Sequence, residues 1–414
     1  MILLLFTATY PYDAGAERTF LAGELKTLKA NFDRVILVPG ICRGNRLTVP
    51  DGIEVDETLA LTADSRRWVS LLRAIFTPVF YKDIFKRPAI LFHRATWMRL
   101  LDFAAGAIAT RSWVRNWFRR SGVQARECVF YTYWFDYAAM GIGLTKRDHP
   151  ELKLVSRAHG YDLYEERHPY NYWPCRRSAL GFLDHLFVAS DAGRRYLANR
   201  YPEYASKCTT ALLGVPSSGF STSRSSDRVF HIISCSMLVP VKRVDLILQA
   251  VACAAQHKPN VSFEWHHFGD GDTRSNLQET VEATFPSNAR GFFPGFVSQQ
   301  DLFQFYKTNP VDVFVNASQS EGTPVSIMEA ISCGIPVIAT AVGGNPEIVS
   351  SRNGLLVSPN PSAEEFAAAL LEMQANPETT AQKGLESYGT WQAKYNAEVN
   401  FREFALSLRK IRET

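Results

Sequence analysis

Residues 320–340 constrain the fold of this chain more than any other stretch of its sequence. An apolar run at residues 311–315 precedes them and predicts a buried parallel strand. After a short polar loop, Thr323 is placed to cap a helix whose first residue is Pro324, where the missing proline N–H costs nothing. A glycine then ends the helix, and residues 335–340 predict the next strand. The stretch is therefore typical of a strand–loop–helix–strand unit in a parallel α/β sheet.

Two carboxylates flank this predicted helix start. Glu321 lies just before the helix, and Glu329 lies about two turns inside it. The free backbone amides at a helix start attract anions, and a carboxylate can accept hydrogen bonds from hydroxyl groups. The pattern therefore suits a ligand that carries both phosphates and sugar hydroxyls.

The length of the chain and its repeating pattern predict two domains. A chain of 414 residues is too long for one ordinary core. Strands and helices alternate from residue 2, and the alternation restarts after a serine-rich, weakly hydrophobic segment at 214–227 that is the best candidate for a linker. We predict one Rossmann-like domain at 1–217, a second at 218–390, and a C-terminal helix at 391–414 that packs back on the first.

The composition predicts a cytoplasmic protein. Hydrophobic residues make up 46% and charged residues 21% of the chain, as in ordinary globular proteins. None of its seven cysteines forms a C-x-x-C pair, which favours a reducing compartment. Residues 1–6 lack a basic leader and are better explained as a buried strand than as a signal peptide.

One segment, residues 66–120, differs from the rest in charge. It contains twelve basic and two acidic residues, hence a net charge of +10. Its basic residues are Arg66, Arg67, Arg73, Lys82, Lys86, Arg87, Arg94, Arg99, Arg111, Arg115, Arg119 and Arg120. Because aromatic and aliphatic residues alternate with them at helical spacing, the segment suits an anionic membrane surface. The alternative is that these are the solvated outer faces of domain helices; no nucleic-acid-binding motif is present.

The first half contains a second group of candidate residues. His159 and Asp162 follow the predicted strand at 152–156, at the sheet edge where open α/β folds bind ligands. Tyr161 lies between them and could contact an acceptor together with Asp162. Near the start of the chain, Gly15 falls in the loop between the first strand and the first helix, although no G-x-G-x-x-G fingerprint accompanies it.

The two domains, the linker and the Glu321 and Glu329 spacing together resemble glycosyltransferase family 4. The sequence EGTPVSIMEA at 321–330, followed by GIPVIAT at 334–340 and GGNPE at 343–347, matches the family pattern E-G-x-P-x-x-x-x-E-A, G-x-P-V-I-A and G-G-x-x-E. The resemblance covers essentially the whole chain. It implies an α/β fold of the GT-B class, with two doubly wound Rossmann-like domains facing a central cleft.

The resemblance also implies a role for each matching residue. Glu329 would accept hydrogen bonds from the nucleotide ribose, and Glu321 would hold the donor sugar. The diphosphate would lie at the helix start, next to Gly322, Thr323, Pro324 and Val325. In the first domain, Gly15 would let the donor phosphates approach closely, and His159 would lie near the reacting sugar.

The lysine of the family motif corresponds to Lys242, which would neutralise the leaving phosphate. The family usually has an arginine five residues earlier, and this chain has Met237 there. Either Arg243, on the other side of Lys242, supplies the second positive charge, or one charge is enough; we favour Arg243 as a partial substitute.

The expected activity is that of a metal-independent, retaining glycosyltransferase. It would move a hexose-type sugar from a UDP- or GDP-sugar to a growing, lipid-linked bacterial surface polysaccharide: capsule, O-antigen of lipopolysaccharide, or exopolysaccharide. No cofactor is expected, and the enzyme would bind the inner face of the cell membrane through residues 66–120. The alternatives are a nucleotide-sugar 2-epimerase on the same fold and a non-catalytic sugar-nucleotide-binding partner.

Overall fold

The computed structural model describes residues 1–13, 17–65, 67–225 and 228–413. The chain divides into two compact units, Met1–Leu212 with Val399–Thr414, and Leu213–Glu398. The predicted site residue Gly15 and the first basic residue of the 66–120 segment, Arg66, lie outside the described residues.

The first unit is an α/β unit built on a seven-stranded sheet. Its elements in chain order are β1 (Ile2–Thr7), α1 (Glu17–Asn31), β2 (Arg34–Pro39), β3 (Ile53–Val55), α2 (Thr58–Ser65), α3 (Arg67–Ile75), α4 (Pro78–Lys86), α5 (Arg94–Ser121), β4 (Cys128–Thr132), α6 (Tyr137–Thr145), β5 (Lys153–Ala158), α7 (Arg176–Phe182), β6 (His185–Val188), α8 (Asp191–Arg200) and β7 (Cys208–Thr210). The strands are parallel, in the order β3-β2-β1-β4-β5-β6-β7.

Both faces of this sheet are buried, as its sequence pattern requires. Successive side chains of a strand point to opposite faces, so a strand covered on both sides must be apolar throughout. In β1, Leu4 and Phe6 pack in the core that includes α5 and α6, whereas Leu3 and Leu5 pack in a separate core with α1. The strand is therefore continuously hydrophobic because helices cover both sides of the sheet.

The second unit has the same architecture with six strands. Its elements are β8 (Val229–Cys235), α9 (Val244–His257), β9 (Ser262–Phe268), α10 (Arg274–Thr284), β10 (Ala289–Gly295), α11 (Gln299–Thr308), β11 (Val313–Asn316), α12 (Val325–Ser332), β12 (Val337–Thr340), α13 (Asn345–Ile348), β13 (Gly354–Val357), α14 (Ala363–Ala375) and α15 (Pro377–Thr390). All strands are parallel, in the order β10-β9-β8-β11-β12-β13. Successive strands are added on one side of β8 up to β10 and on its other side from β11 onward, so the strand order reverses between β8 and β11. Ligands of open α/β sheets bind beyond the carboxyl ends of strands at such a reversal.

The last helix, α16 (Ala397–Glu413), follows a π-helical turn at Trp391–Tyr395. From Val399 onward the helix belongs to the first unit. Its residue Phe404 packs there in the core on the α1 side of the sheet. The guanidinium of Arg157 lies 4.5 Å from the Phe404 ring centroid and 2.7 Å from Glu24, both side chains being fully buried. Removing one partner of a buried charge pair of this kind strongly destabilises the folded protein, because the other charge is left buried without compensation.

The predicted fold class, two doubly wound α/β domains, is confirmed by these two sheets. The serine-rich segment predicted as a linker is hydrogen-bonded to the second unit: Ser218 Oγ donates to Ser332 O (3.0 Å) and Thr222 N to Cys333 O (2.9 Å). None of the helices among the described residues has the length and apolarity needed to cross a bilayer.

Candidate donor site

The loop after β11 contains Glu321, at the point in the sheet where the strand order reverses. Its carboxylate is buried, and Oε1 accepts hydrogen bonds from Ser318 Oγ (2.6 Å) and Asn316 Nδ2 (3.3 Å). Both donors belong to the end of β11 or the loop that follows it. The local chain therefore fixes the carboxylate before any ligand arrives.

Lys242 reaches the same carboxylate from the loop after β8. Its ammonium nitrogen lies 2.6 Å from Glu321 Oε1, with 24% of the lysine side chain and 9% of the glutamate side chain exposed. The two loops are also joined by a backbone hydrogen bond from Gln319 N to Val241 O (2.8 Å). Because β8 and β11 are neighbours in a parallel sheet, residues far apart in sequence meet at one edge.

This pairing decides the charge of Glu321. Burial raises the pKa of a carboxyl group, but the charge of Lys242 and the hydrogen bonds from Lys242, Ser318 and Asn316 outweigh burial, so the pKa of Glu321 is lowered. The pair therefore places a carboxylate and a partly accessible ammonium group side by side at the sheet edge.

Glu329 lies in α12 in a different environment. It is buried, and its Oε1 accepts a hydrogen bond of 2.6 Å from Gln299 Nε2, at the first residue of α11. Burial raises the pKa of Glu329 to about 7, and only the Gln299 hydrogen bond opposes that rise. Near neutral pH this side chain can therefore change its charge when a ligand binds.

The helix start differs from its prediction. Helix α12 begins at Val325, with Pro324 in the N-cap position at φ −78° and ψ 94° and no side-chain cap hydrogen bond. The prediction that Thr323 caps the helix and Pro324 is its first residue is therefore wrong by one residue. The extended backbone of Pro324 cannot be part of the helix, so the free amides begin at Val325.

The predicted G-G-x-x-E loop packs against this helix start. A Cβ atom at Gly343 would lie 1.8 Å from Glu321 O, and one at Gly344 would lie 2.2 Å from Gly322 O. Gly343 also has a φ of +51°, which favours glycine. The two glycines therefore let one loop lie directly on the backbone that carries Glu321.

Arg243 has a different environment from the one that the sequence predicts. Its guanidinium donates to Ala317 O (2.7 Å), Ser318 O (3.0 Å) and Pro359 O (2.9 Å). It also donates to Asn360 Oδ1 (3.3 Å). The side chain thus ties the Glu321 loop to the loop after β13 by hydrogen bonds to carbonyl oxygens.

His159 lies in the first unit, immediately after β5. Its buried ring packs at a tilt against Tyr133 and Trp134, with ring centroids 4.6 Å and 4.7 Å away, and its Nδ1 is 3.9 Å from Asp162 Oδ2. Neither ring nitrogen has a hydrogen-bond partner within the described part of the chain. The imidazole therefore retains hydrogen-bonding capacity at a ligand-binding edge.

The two predicted acceptor residues have different surroundings. Asp162 is buried, and its carboxylate oxygens accept from His159 N and Phe135 N, both at 2.8 Å. Burial raises its pKa, but the His159 imidazole 3.9 Å away and the two backbone donors outweigh that effect and lower it. Tyr161 is 60% exposed. Asp162 therefore holds the loop together, whereas Tyr161 is accessible to an acceptor.

Sequence reasoning missed three polar partners in the second unit: Asn316, Ser318 and Gln299. Asn316 and Ser318 lie at the carboxyl end of a predicted strand, so the rule that singled out His159 could also have found them. Gln299 had no such signal. Its importance depends on the first residue of α11 reaching Glu329 in α12, which a sequence pattern does not specify.

Comparison with known proteins agrees with the architecture of the second unit. Residues 221–388 match the family model described as "Glycosyl transferases group 1". The putative colanic acid biosynthesis glycosyltransferase WcaL of Salmonella typhimurium is 27% identical over 231 residues, which cover 53% of this chain and 55% of that protein. The alignments with curated relatives such as this one span only part of those proteins, from 25% to 55% of their length.

Solved structures match over nearly the entire chain. The lipopolysaccharide outer core galactosyltransferase WaaB, in its apo form, aligns with a TM-score of 0.70 and 14% identity, covering 99% of this chain and 100% of that one. HepE of Anabaena, in complex with UDP-glucose, aligns with a TM-score of 0.64 and 15% identity, covering 99% and 100%. At such identities the likeness concerns the fold. Residues 221–388 are therefore similar to the group 1 glycosyl transferases, within a chain that has the GT-B fold.

Proposed function

We propose that this protein is a retaining glycosyltransferase that moves a hexose-type sugar from a UDP- or GDP-sugar to a lipid-linked surface polysaccharide. The observation that carries the proposal is the Lys242–Glu321 pair at the point where the second sheet reverses direction. A buried carboxylate held against an ammonium group there can bind both a sugar and a phosphate. The glycosyl transferase family match includes both residues.

The proposed chemistry requires stabilisation of charge on both sides of the broken bond. As the bond from the anomeric carbon to the phosphate breaks, Lys242 and the amides at the start of α12 neutralise the departing diphosphate. Glu321 holds the sugar hydroxyls, and Glu329 accepts hydrogen bonds from the ribose. Retention follows if the departing phosphate oxygen takes the proton of the attacking acceptor hydroxyl on the same face of the sugar.

The acceptor part of the proposal is supported by relatives and by charge. The WcaL match is named for colanic acid biosynthesis, and another relative, AmsK of Erwinia amylovora, for amylovoran biosynthesis. A lipid-linked oligosaccharide acceptor would place the enzyme at the cytoplasmic face of the membrane, with residues 66–120 on the anionic surface. The proposal includes no cofactor and no metal, so chelation with EDTA should leave transfer unchanged.

Nucleotide release from a panel of donors tests the proposal. The purified protein is mixed with several UDP- and GDP-sugars, with and without membrane lipid extract, and the free nucleotide is measured. We expect release with one donor, only when lipid extract is present, and its loss in Glu321→Gln. The exposed Glu279 supplies the matched control Glu279→Gln, which should retain activity.

Two outcomes would contradict the proposal. Conversion of the donor sugar to its 2-epimer without lipid would favour an epimerase on the same fold. Tight donor binding without release, unchanged in Glu321→Gln, would favour a non-catalytic binding partner.

A further inference from the structure

Helix α3 directs its large apolar side chains away from the protein. Trp68 is 80% exposed and Leu72 60%, and Phe76, directly after the helix, is 84% exposed. Ser70 and Ala74, two small residues of the same helix, are buried. The usual arrangement, with the apolar stripe on the core and polar residues outside, is therefore reversed.

The helical spacing shows that this reversal is organised. Trp68 and Leu72 are four residues apart and share one side of the helix, and Phe76, four residues further on, directly follows the helix. Ser70 and Ala74 lie on the opposite side, which packs against α5. Small residues on the inner side let α3 lie close to α5 while three large side chains remain in solvent.

The exposed apolar surface continues along the chain. Phe85 in α4 and Phe92 in the 3₁₀ turn after it are each 83% exposed. Helix α4 contacts both α3 and that turn. Monomeric soluble proteins rarely leave such a surface uncovered, and large exposed apolar patches mark a binding partner.

The charge around these residues indicates which partner it is. Lys82 and Lys86 are exposed, and both belong to the 66–120 segment with its net charge of +10. The core of a protein–protein interface is depleted of charged residues. Aromatic side chains flanked by lysine and arginine instead suit the boundary between anionic lipid headgroups and acyl chains.

We propose that Trp68, Leu72 and Phe76, with Phe85 and Phe92, insert into the surface of an anionic lipid bilayer. We refer to these five side chains as the insertion face. This inference deepens the proposed function and rests on its lipid-linked acceptor, which the bilayer would present to the first unit. The donor residues of the second unit take no part in the insertion.

Vesicle binding tests the insertion face directly. The full-length protein is sedimented with vesicles of phosphatidylglycerol and phosphatidylcholine, and the bound fraction is measured against lipid concentration. The triple variant Trp68→Gln, Leu72→Gln and Phe76→Gln should lose about a hundredfold in apparent affinity, since three large apolar groups are no longer buried in lipid. Glutamine is used because it preserves helix propensity.

A matched pair of single substitutions controls for general loss of surface hydrophobicity. Leu72 is 60% exposed, and Leu385, in helix α15 of the second unit, is 69% exposed. Leu72→Gln should weaken vesicle binding several-fold, whereas Leu385→Gln should not change it. Equal effects of the two substitutions, or none from either, would overturn the proposal.

The charge contribution has its own test. Binding should fall on vesicles of phosphatidylcholine alone, in Lys82→Glu with Lys86→Glu, and in about 0.5 M salt, where screening acts over only a few ångströms. If the triple variant instead abolishes a concentration-dependent dimer in sedimentation velocity without changing vesicle binding, the insertion face is an interface between two copies.

Donor affinity separates failure of this inference from failure of the proposed function. The triple variant should bind its nucleotide sugar as the wild type does. Normal donor turnover with no effect of the triple variant on vesicle binding overturns the insertion face alone. Vesicle binding that depends on the insertion face, without any nucleotide release, contradicts the proposed function and leaves this surface in place.

Discussion

Glu321 lies in the loop before α12 and Glu329 lies within that helix. Their environments shift the pKa of the two carboxyl groups in opposite directions. Both are buried, and burial is the largest influence on each. Lys242 lies 2.6 Å from Glu321 and lowers its pKa, whereas Glu329 has the neutral Gln299 and a pKa raised to about 7. The partner, and not the depth of burial, therefore decides which carboxylate is charged.

The two carboxylates consequently affect stability with opposite dependence on pH. A carboxyl group whose pKa is lowered by folding stabilises the protein above its unfolded pKa, and this stability is lost as pH falls. That is the case for Glu321. Glu329 has a raised pKa, so its contribution is most favourable below its unfolded pKa and is lost as pH rises through about 7. Both predictions below on these residues depend on this difference.

Breaking the Lys242–Glu321 pair should have the largest effect. Lys242→Ala removes the positive charge proposed for the departing phosphate, so turnover should fall by about a thousandfold. It also leaves Glu321 buried without its ionic partner, which should destabilise the protein by about 3 kcal/mol. Steady-state kinetics and denaturant unfolding at pH 7.5 measure the two effects; Lys258→Ala, at an exposed lysine, is the control.

Loss of stability without loss of turnover would mean that the Lys242–Glu321 pair is structural. Normal turnover and normal stability together would contradict the site assignment.

Neutralising Glu329 should stabilise the protein, whereas breaking the Lys242–Glu321 pair should destabilise it. Glu329→Gln retains an oxygen for Gln299 but cannot ionise, so it should be the more stable protein above pH 7. The difference should grow to about 3 kcal/mol as pH rises from about 4.5 to about 8, because the wild type must ionise a buried group. Unfolding free energies across that range measure it.

A wild type and a Glu329→Gln variant with parallel stability profiles would show that Glu329 ionises without cost. Glu279→Gln, at an exposed position, should give such a parallel profile and is the matched control.

The sequence predicted the fold well because the fold depends on periodicity. Uninterrupted apolar runs such as β1 can only be strands covered on both faces, and their alternation with helices requires a doubly wound sheet. Glu321 and Lys242 were singled out by the family resemblance, and both follow a buried strand; the roles assigned to them stay predictions. Strand ends converge at one edge of a parallel sheet, so this part of the site needed no tertiary information.

The remaining features depend on contacts that sequence spacing does not encode. Arg243 was predicted to substitute in part for the family arginine that Met237 replaces, and that role stays a prediction. The direction of its side chain follows from a backbone at φ 48° and ψ 46° and from the carbonyl groups nearby. The exposure of Trp68 was likewise open in the sequence, since helical spacing indicates a stripe but not the side that faces the core. Which side is covered depends on the small residues that pack against α5.

Arg243 offers a smaller test of the same comparison. Arg243→Ala removes hydrogen bonds to three carbonyl groups and should cost about 2 kcal/mol of stability. Arg243→Lys preserves the charge but not the planar fork of donors, so it should be nearly as destabilising. If Arg243 instead binds phosphate, the alanine variant should lose donor affinity and the lysine variant, which preserves the charge, should retain it.

The smallest expected effect comes from adding a charge where the family resemblance expects one. Met237, five residues before Lys242, is 65% exposed in the loop after β8. Arg243, which directly follows Lys242, uses its donors on carbonyl groups. If Lys242 alone neutralises the phosphate, Met237→Arg should tighten donor binding about fivefold through a second charge-assisted contact. The gain should diminish as salt is raised.

Isothermal titration with the nucleotide diphosphate measures this gain, and Met237→Gln is the neutral control of similar length. An equal gain in Met237→Gln would assign it to packing, because glutamine brings no charge. No gain in Met237→Arg would mean that the diphosphate does not approach the β8 loop on this side. The role of Lys242 would still depend on the turnover of Lys242→Ala, because Met237 and Lys242 lie five residues apart on that loop.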